Sequence, residues 1–286
     1  MEGQEPLQER GEFLGDLGAY RTVTGCAKVR GMTIFDDLAA EQERLAEILS
    51  GLDEAQWMSP SGAQGWTIAD VVLHLAQSEE GVQATATHQR PRAGLGAVAG
   101  DTMDERAAEA VRAERAAPAE VFARWQRARQ AALAAVRAAH PDEPLEWVTG
   151  PVKPATLATT RLAEHWAHGL DITGPLGIKF PDTERLRHVA WLAHRTLPYA
   201  LSLAGQPPVA VRCELTAPDN AGPDGPALRG TDTWRFGPAD AESTITGTAG
   251  DFCRVAARRL DPAQSGLRAA GPHGATAVRA LRTYAA

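Results

Sequence analysis

The chain has 286 residues, of which 44% are hydrophobic and 23% charged, and its formal net charge is −7. This composition is typical of a globular protein with one large or two modest domains, and it excludes a disordered or collagen-like chain. The acidic balance argues against nucleic-acid binding, which needs a basic surface. The apolar runs are too short to cross a bilayer, and the first residues show no secretory pattern. We therefore expect a cytoplasmic protein that does not bind membranes.

The first predicted helix follows a stretch without periodicity. Residues 1–31 show neither helical nor strand spacing, and we interpret them as a flexible extension. From Met32 onward, Ile34, Leu38 and Leu45 recur with helical spacing, and Gly51 is placed to end the helix. This segment opens a helical domain that we expect to span residues 32–204.

The second predicted helix begins with a capping pattern. Thr67 is followed three residues later by Asp70, which resembles a capping box with Asp in place of Glu or Gln. The helix runs past Val82 into a predicted loop at 91–102. Short loops between amphipathic helices favour an up-and-down bundle for this helical part.

Three more helices complete the predicted bundle. An Ala- and Arg-rich stretch covers about 104–140, is broken near Pro118, and turns apolar side chains inward (Val121, Phe122, Trp125, Leu133 and Val136). A loop at 140–154 leads to a fourth helix at about 155–170, with Gly169 and Gly174 available to end it. A fifth, added helix follows Pro181.

The pattern changes after Gly205. The segments VAVRCEL, TDTWRF and STITGTA are β-branched and alternating, with PDNAGPDG as the turn between the first two. DFCRVAARRL and the helical ATAVRALRTYAA follow. The predicted fold class is therefore α+β, a four-helix bundle with an added helix and then a small α/β domain at 205–286.

Two side chains on the fourth helix are candidates for metal binding. Glu164 and His168 are four residues apart, so they share one helix face with Cβ atoms about 6 Å apart. A carboxylate and an imidazole both suit a borderline divalent cation. An exposed i,i+4 pair explains the same spacing. His165 points about 100° away from Glu164 and is not expected to share the ligand.

His74 lies in an otherwise apolar stretch of the second helix. An imidazole turned inward needs a hydrogen-bond partner or a metal, so a satisfied core histidine is the alternative. Bundle cores build metal sites from facing helices, and His74 with Glu164 and His168 would form a two-His, one-carboxylate set with open positions.

The motifs around these residues resemble a known family. GWTIADVVLH, which ends at His74, and EHWAHGLD, which begins at Glu164, resemble the two signatures of the DinB-like superfamily of metalloenzymes. More narrowly, they resemble the mycothiol-dependent maleylpyruvate isomerase group. The segments WRFGP, ITGTA and DFCRVAARR resemble the small sterol-carrier-protein-like α/β domain that this group often carries.

The resemblance implies a ligand set and a cosubstrate. His74, Glu164 and His168 match the family's divalent-metal ligands, and Zn²⁺ is the usual ion. The cosubstrate would be mycothiol, a low-molecular-weight thiol of high-GC Gram-positive bacteria. Only three of the 29 basic residues are lysine, which agrees with GC-rich, actinobacterial coding. The partners would be this thiol and a small electrophile, and the oligomeric state stays open, a homodimer included.

Four functions follow from such a site. The leading hypothesis is a thiol S-transferase, in which a zinc-bound thiolate attacks an electrophilic small molecule. The first alternative is mycothiol-dependent cis–trans isomerisation of a maleylpyruvate-like acid. A zinc–water hydrolase and a non-catalytic small-molecule-binding protein are the others. The protein would supply no nucleophile of its own, because Cys26, Cys213 and Cys253 lie outside the ligand motifs and include no CxxC pair.

Other residues are assigned by their position near the motifs. His165 and Asp171 are candidates for orienting a ligand imidazole, although Asp171 also suits a solvated helix end. Trp66 and Trp166 could wall the pocket or pack in the core. Arg254 and Arg258, with the neighbouring arginine at 259, could bind a substrate carboxylate or form an exposed helix face.

Overall fold

The computed structural model describes residues 33–89, 102–148, 150–219 and 232–283. The predicted N-terminal extension with Cys26, the loop at 91–101 and most of the PDNAGPDG turn lie outside the described residues. The described chain divides into two compact units, one up to Arg161 and one from Leu162 onward. A domain boundary near residue 204 stays a prediction.

Helices dominate the first unit. Its helices, numbered in chain order over the described residues, are α1 (Ile34–Ser50), α2 (Glu54–Trp57), α3 (Ile68–Ala86), α4 (Met103–Ala113) and α5 (Pro118–Ala138). The sixth helix, α6 (Pro154–Thr173), begins in this unit and continues in the second.

Local sequence signals explain where these helices start. The predicted capping box of α3 is confirmed: the Thr67 side chain accepts from the Asp70 N–H, and the Asp70 carboxylate accepts from the Thr67 N–H. The predicted break between α4 and α5 is also confirmed. Pro118 occupies the first position of α5, where its missing N–H costs no helical hydrogen bond.

The core of the first unit surrounds α3, which packs along α5. Its apolar residues from Ile68 to Leu75 are buried, and Trp125 of α5 is fully buried as predicted. Phe122 and Leu133, predicted to face inward, are half-buried. The helix that carries His74 is thus held in place on most of its surface.

The segment predicted as a loop at 140–154 contains a hairpin instead. Strands β1 (Leu145–Trp147) and β2 (Gly150–Val152) pair antiparallel and bury Leu145 and Val152 in a cluster with α3 and α5 residues. Three-residue strands are too short to show alternation, and Pro151 argued against a strand. Hydrophobic burial against the bundle decides the conformation here.

Helix α6 is longer than predicted. It continues through Gly169 to Thr173, and Gly174 directly follows it. Gly169 therefore does not end the helix. A Cβ atom at Gly169 would lie 2.6 Å from Cζ of Phe180, so the glycine allows that ring to pack directly against α6.

The second unit confirms the predicted change to α/β structure. Helix α7 (Leu186–Leu203) precedes a four-stranded sheet in the order β4-β3-β5-β6. The strands are β3 (Val211–Thr216), β4 (Thr233–Phe236), β5 (Ser243–Thr248) and β6 (Arg268–Ala270), with β3 and β5 parallel. Helices α8 (Ala249–Ala256) and α9 (Gly274–Ala280) complete it. β6 was not predicted.

The described helices include none that is long and apolar enough to span a membrane.

Candidate metal centre

The imidazole of His168 is contacted by two carboxylates on its own helix. Its Nδ1 atom lies 2.9 Å from Oδ2 of Asp171, and its Nε2 atom lies 3.5 Å from Oε2 of Glu164. These residues are three positions after and four positions before His168, so the helical repeat brings them to one face. When Asp171 accepts a hydrogen bond from the Nδ1–H group of a neutral His168, the ring lone pair is on Nε2, on the side of Glu164.

Electrostatics favours an ionised Asp171. Burial raises the pKa of Asp171, but hydrogen bonds from His168 and Arg259 outweigh this effect and hold its pKa below the ordinary value. Burial likewise lowers the pKa of His168, whereas Asp171 and Glu164 raise it above the ordinary value. The pair is thus a carboxylate acceptor and an imidazole donor.

His74, the third candidate ligand, lies one turn after the capped start of α3. Its ring is half-buried and lies 5.2 Å from the ring of Trp66, centroid to centroid, at 51°. One turn earlier, the Asp70 carboxylate forms a bidentate ion pair with Arg115. Nε lies 2.8 Å from Oδ1, and Nη2 lies 2.9 Å from Oδ2. Capping and pairing together fix the start of the helix that carries His74.

Three of the described side chains form a potential ligand group. His74, Glu164 and His168 each offer one ligand atom, and these atoms lie within 4.8 Å of one another. Two imidazoles and one carboxylate are a usual zinc donor set with open positions. The Asp171 contact to Nδ1 of His168 matches the carboxylate that commonly supports a metal-binding histidine. The residues therefore fit a divalent cation.

The other predicted site residues differ in their surroundings. His165 is fully buried, and Trp166 is 2% exposed with the Arg254 guanidinium 5.9 Å from its ring centroid. Trp166 lies about 200° around the helix from Glu164, so the two side chains leave different faces of α6. Pocket roles for Trp66 and Trp166 stay predictions.

The arginines on and after α8 also have specific surroundings. Arg254 donates two hydrogen bonds of 2.8 Å to Asp182, so its fork is engaged within the protein. Arg258 is exposed and has a left-handed backbone, with φ of 59°. Arg259 donates to both carboxylate oxygens of Asp171. Substrate binding by Arg254 and Arg258 stays a prediction.

The two described cysteines are unsuited to nucleophilic chemistry. Cys213 and Cys253 are both fully buried. Burial raises the pKa of Cys213 to about 12 and that of Cys253 well above its ordinary value. Neither of these two thiols forms an accessible thiolate at neutral pH.

Comparison with known proteins identifies the family. Residues 38–173 match the family described as "Mycothiol maleylpyruvate isomerase N-terminal domain". Two uncharacterized proteins of Mycobacterium tuberculosis, MT0041 (strain CDC 1551 / Oshkosh) and Rv0036c (strain ATCC 25618 / H37Rv), are 34% identical over 227 residues. The match covers 78% of this chain and 84% of each relative. The chain belongs to the mycothiol maleylpyruvate isomerase family of DinB-like enzymes.

Solved structures agree with this family assignment at the level of fold. Crystal structures of the mycothiol-dependent maleylpyruvate isomerase and of a His-to-Ala mutant of it match with a TM-score of 0.54. The match covers 94% of this chain and 96% of each solved chain at 16% sequence identity. The predicted α+β class, with a DinB-like helical bundle, is thus confirmed.

For this family member, sequence reasoning found the candidate ligands but missed most of their supports. The contacts from Arg115 to Asp70 and from Arg259 to Asp171 join residues 45 and 88 positions apart. Helical spacing carries no signal for such long-range pairs. The sequence did place a charged residue, Asp171, one turn after the candidate ligand His168. A buried charge there would need a partner of opposite charge.

Proposed function

We propose that the protein is a metal-dependent enzyme that uses mycothiol to isomerise the cis double bond of a small maleylpyruvate-like acid. The observation that carries the proposal is the grouping of His74, Glu164 and His168 within 4.8 Å in a member of this family. The family name and the solved relatives favour isomerisation over the S-transfer reaction that the sequence placed first.

The three residues would hold a divalent cation, with Zn²⁺ the best fit to the donor set. A cation bound here would lower the pKa of a coordinated thiol and so provide thiolate at neutral pH. A thiol that adds to one alkene carbon and leaves after rotation about the resulting single bond isomerises the double bond with no net consumption of sulfur.

The chain's own residues have positioning roles in this scheme. Asp171 accepts from Nδ1 of His168 and keeps Nε2 as the ligand atom. The ring of Trp66 limits the rotation of His74. Burial keeps the Cys213 and Cys253 thiols from competing with the diffusible one.

The test measures metal content and thiol dependence together. Full-length protein loaded with Zn²⁺ is incubated with maleylpyruvate and mycothiol, with glutathione, or with no thiol. We expect about one bound ion per chain and conversion to the trans acid only with mycothiol, observed by ultraviolet absorbance and by the vinyl proton couplings. Mass spectrometry separates the alternatives, since an accumulating S-conjugate indicates transfer and an added water indicates hydrolysis.

Two histidine variants complete the test. His74→Ala should lose both the bound ion and the reaction, because only two ligands remain. His140→Ala changes an exposed histidine outside the ligand group and should behave like the wild type. Full metal content and full activity in His74→Ala would overturn the ligand assignment, and the absence of any thiol-dependent conversion would overturn the proposed reaction.

A further inference from the structure

We propose that Arg259 is a positioning residue for the metal centre: through Asp171 it fixes the orientation of His168 and thereby sets the metal affinity. This inference rests on the proposed metal site. Arg259 reaches His168 through Asp171, and its charge also interacts with that of Glu164. It lies 86 residues after the end of the matched family segment at residue 173.

The geometry is a chain of three polar groups. Arg259 donates from Nη2 to Oδ2 of Asp171 at 2.6 Å and from Nε to Oδ1 at 3.1 Å. The same Oδ2 atom lies 2.9 Å from Nδ1 of His168. Arg259 therefore holds both carboxylate oxygens of Asp171, and a bidentate pair fixes the carboxylate plane. With that plane fixed, Oδ2 can accept from Nδ1 in only a narrow range of His168 ring orientations.

Burial makes the arginine necessary to this arrangement. The Asp171 side chain is 4% exposed, and Glu164 places a second carboxylate on the other side of His168. A buried carboxylate that loses its cationic partner would turn toward water. That movement weakens the hydrogen bond to Nδ1 of His168, and loss of such support lowers metal affinity.

The backbone after α8 is shaped to deliver this side chain. The N–H of Arg259 donates to the carbonyl of Arg254 at 2.8 Å, and the N–H of Arg258 donates to that of Val255 at 3.0 Å. These two bonds form a Schellman motif, with Arg258 in the left-handed conformation at φ 59°. In addition, Nη1 of Arg259 donates to the Ala257 carbonyl. The guanidinium is thus fixed from its own side as well.

The same helix offers a matched control. Arg254 makes a bidentate pair with Asp182, with both distances 2.8 Å, and its side chain is 26% exposed against 22% for Arg259. Asp182 has no described contact with a candidate metal ligand. Removing Arg254 therefore deletes a second arginine–aspartate pair, whose carboxylate is 25% exposed, and leaves the hydrogen bonds of Asp171 in place.

The experiment compares Arg259→Met, Arg259→Lys, Asp171→Asn and Arg254→Met in the full-length protein. Zn²⁺ dissociation constants are measured by competition with a chromophoric chelator, and the d–d spectrum of bound Co²⁺ reports ligand geometry. We expect Arg259→Met and Asp171→Asn to bind Zn²⁺ about 10- to 100-fold more weakly. The Zn²⁺ affinity of Arg259→Lys should lie between those of the wild type and Arg259→Met, because lysine keeps the charge but cannot form the bidentate pair. Arg254→Met should match the wild type in both readouts.

A double variant tests the route. Arg259→Met combined with Asp171→Asn should bind no more weakly than Asp171→Asn alone, because both changes break one chain of contacts. The proposal is overturned if Arg259→Met binds Zn²⁺ like the wild type, or if Arg254→Met weakens binding equally, which indicates general stability. If Arg259→Met does not fold, Arg259→Lys and Asp171→Asn decide by the same measurements. If the wild type binds no Zn²⁺, the proposed function is overturned. If the wild type binds Zn²⁺ and the variants bind it with the same affinity, only the inference about Arg259 is overturned.

Discussion

Arg161 and Glu79 form an ion pair in which both side chains are almost completely buried. The Nε atom of Arg161 lies 2.8 Å from Oε1 of Glu79, and the side chains are 6% and 1% exposed. Arg161 stands three residues before Glu164 on α6, and Glu79 stands five residues after His74 on α3. The pair thus links the two helices whose sequences carry the candidate ligands.

Removing one partner of this pair should be strongly destabilising. Arg161→Met leaves the Glu79 carboxylate buried without its cation, and breaking such pairs costs about 3–5 kcal/mol. Replacing both residues, as in Arg161→Met with Glu79→Met, should recover most of the loss because both charges of the pair are removed together. Urea unfolding of the three variants measures the free energies. A double variant as unstable as the sum of two single losses would contradict this account.

The sequence predicted those parts of the fold that depend on local signals. Periodicity and the Thr67–Asp70 capping box located α3, and Pro118 located the start of α5. The hairpin β1–β2 escaped prediction because burial against the bundle, not strand pattern, determines it. Of the two glycines that the sequence offered as helix ends, Gly174 directly follows α6, whereas Gly169 lies within it and allows the approach of Phe180, a residue 11 positions away.

Of the candidate site, only the three proposed metal ligands could be predicted from the sequence. The i,i+4 spacing and the family motifs pointed to the ligands, whereas the partners of the arginines depend on tertiary structure. Arg254 meets Asp182 at a separation of 72 residues, and Arg259 meets Asp171 at 88. Sequence alone shows that a buried charge needs a partner, but it does not show which one.

Asp70 should make the stability of the protein depend on pH in the acidic range. Burial raises its pKa, but hydrogen bonds from Arg115 and Thr67 outweigh that effect and hold the pKa below its ordinary value. The stabilisation is therefore fully present above the unfolded-state pKa of about 3.9 and is lost as the pH falls through the lower folded-state pKa. We expect Asp70→Asn to lose about 1 kcal/mol at pH 7, because Arg115 is largely exposed and water screens the pair.

Urea unfolding at pH 7, 5 and 3 checks this expectation. The gap between wild type and Asp70→Asn should narrow at pH 3, because this pH lies below the unfolded-state pKa of about 3.9 and Asp70 of the unfolded chain is then mostly protonated. Asp142→Asn is the control, since its pKa is lowered by Lys153 but the pair is exposed, and it should change little at any pH. A gap that is constant from pH 7 to pH 3 would show that Asp70 acts through packing instead of charge.

Gly169→Ala should destabilise the protein although Ala favours helices. Its Cβ atom would lie 2.6 and 2.9 Å from two atoms of the Phe180 ring, and overpacking of this kind costs about 1–3 kcal/mol. Helix propensity returns up to about 1 kcal/mol, so a net loss remains. Gly81→Ala in α3 is the control, because its nearest new contact is an ordinary 3.8 Å and it should gain stability. Thermal unfolding compares the two, and equal gains would contradict the predicted clash.

Arg258→Gly should stabilise the protein, because Arg258 is in the left-handed conformation that glycine adopts without strain. We expect a gain of about 0.5–1 kcal/mol, since relief of backbone strain exceeds the extra entropy of glycine in the unfolded chain. Arg258→Ala keeps the strain and should unfold like the wild type in urea.

If the exposed guanidinium binds the substrate carboxylate, as the sequence predicts, both variants should raise KM equally and leave the kcat of the thiol-dependent reaction unchanged. Equal stability of the Gly and Ala variants would refute the strain argument, and unchanged KM would refute the binding role.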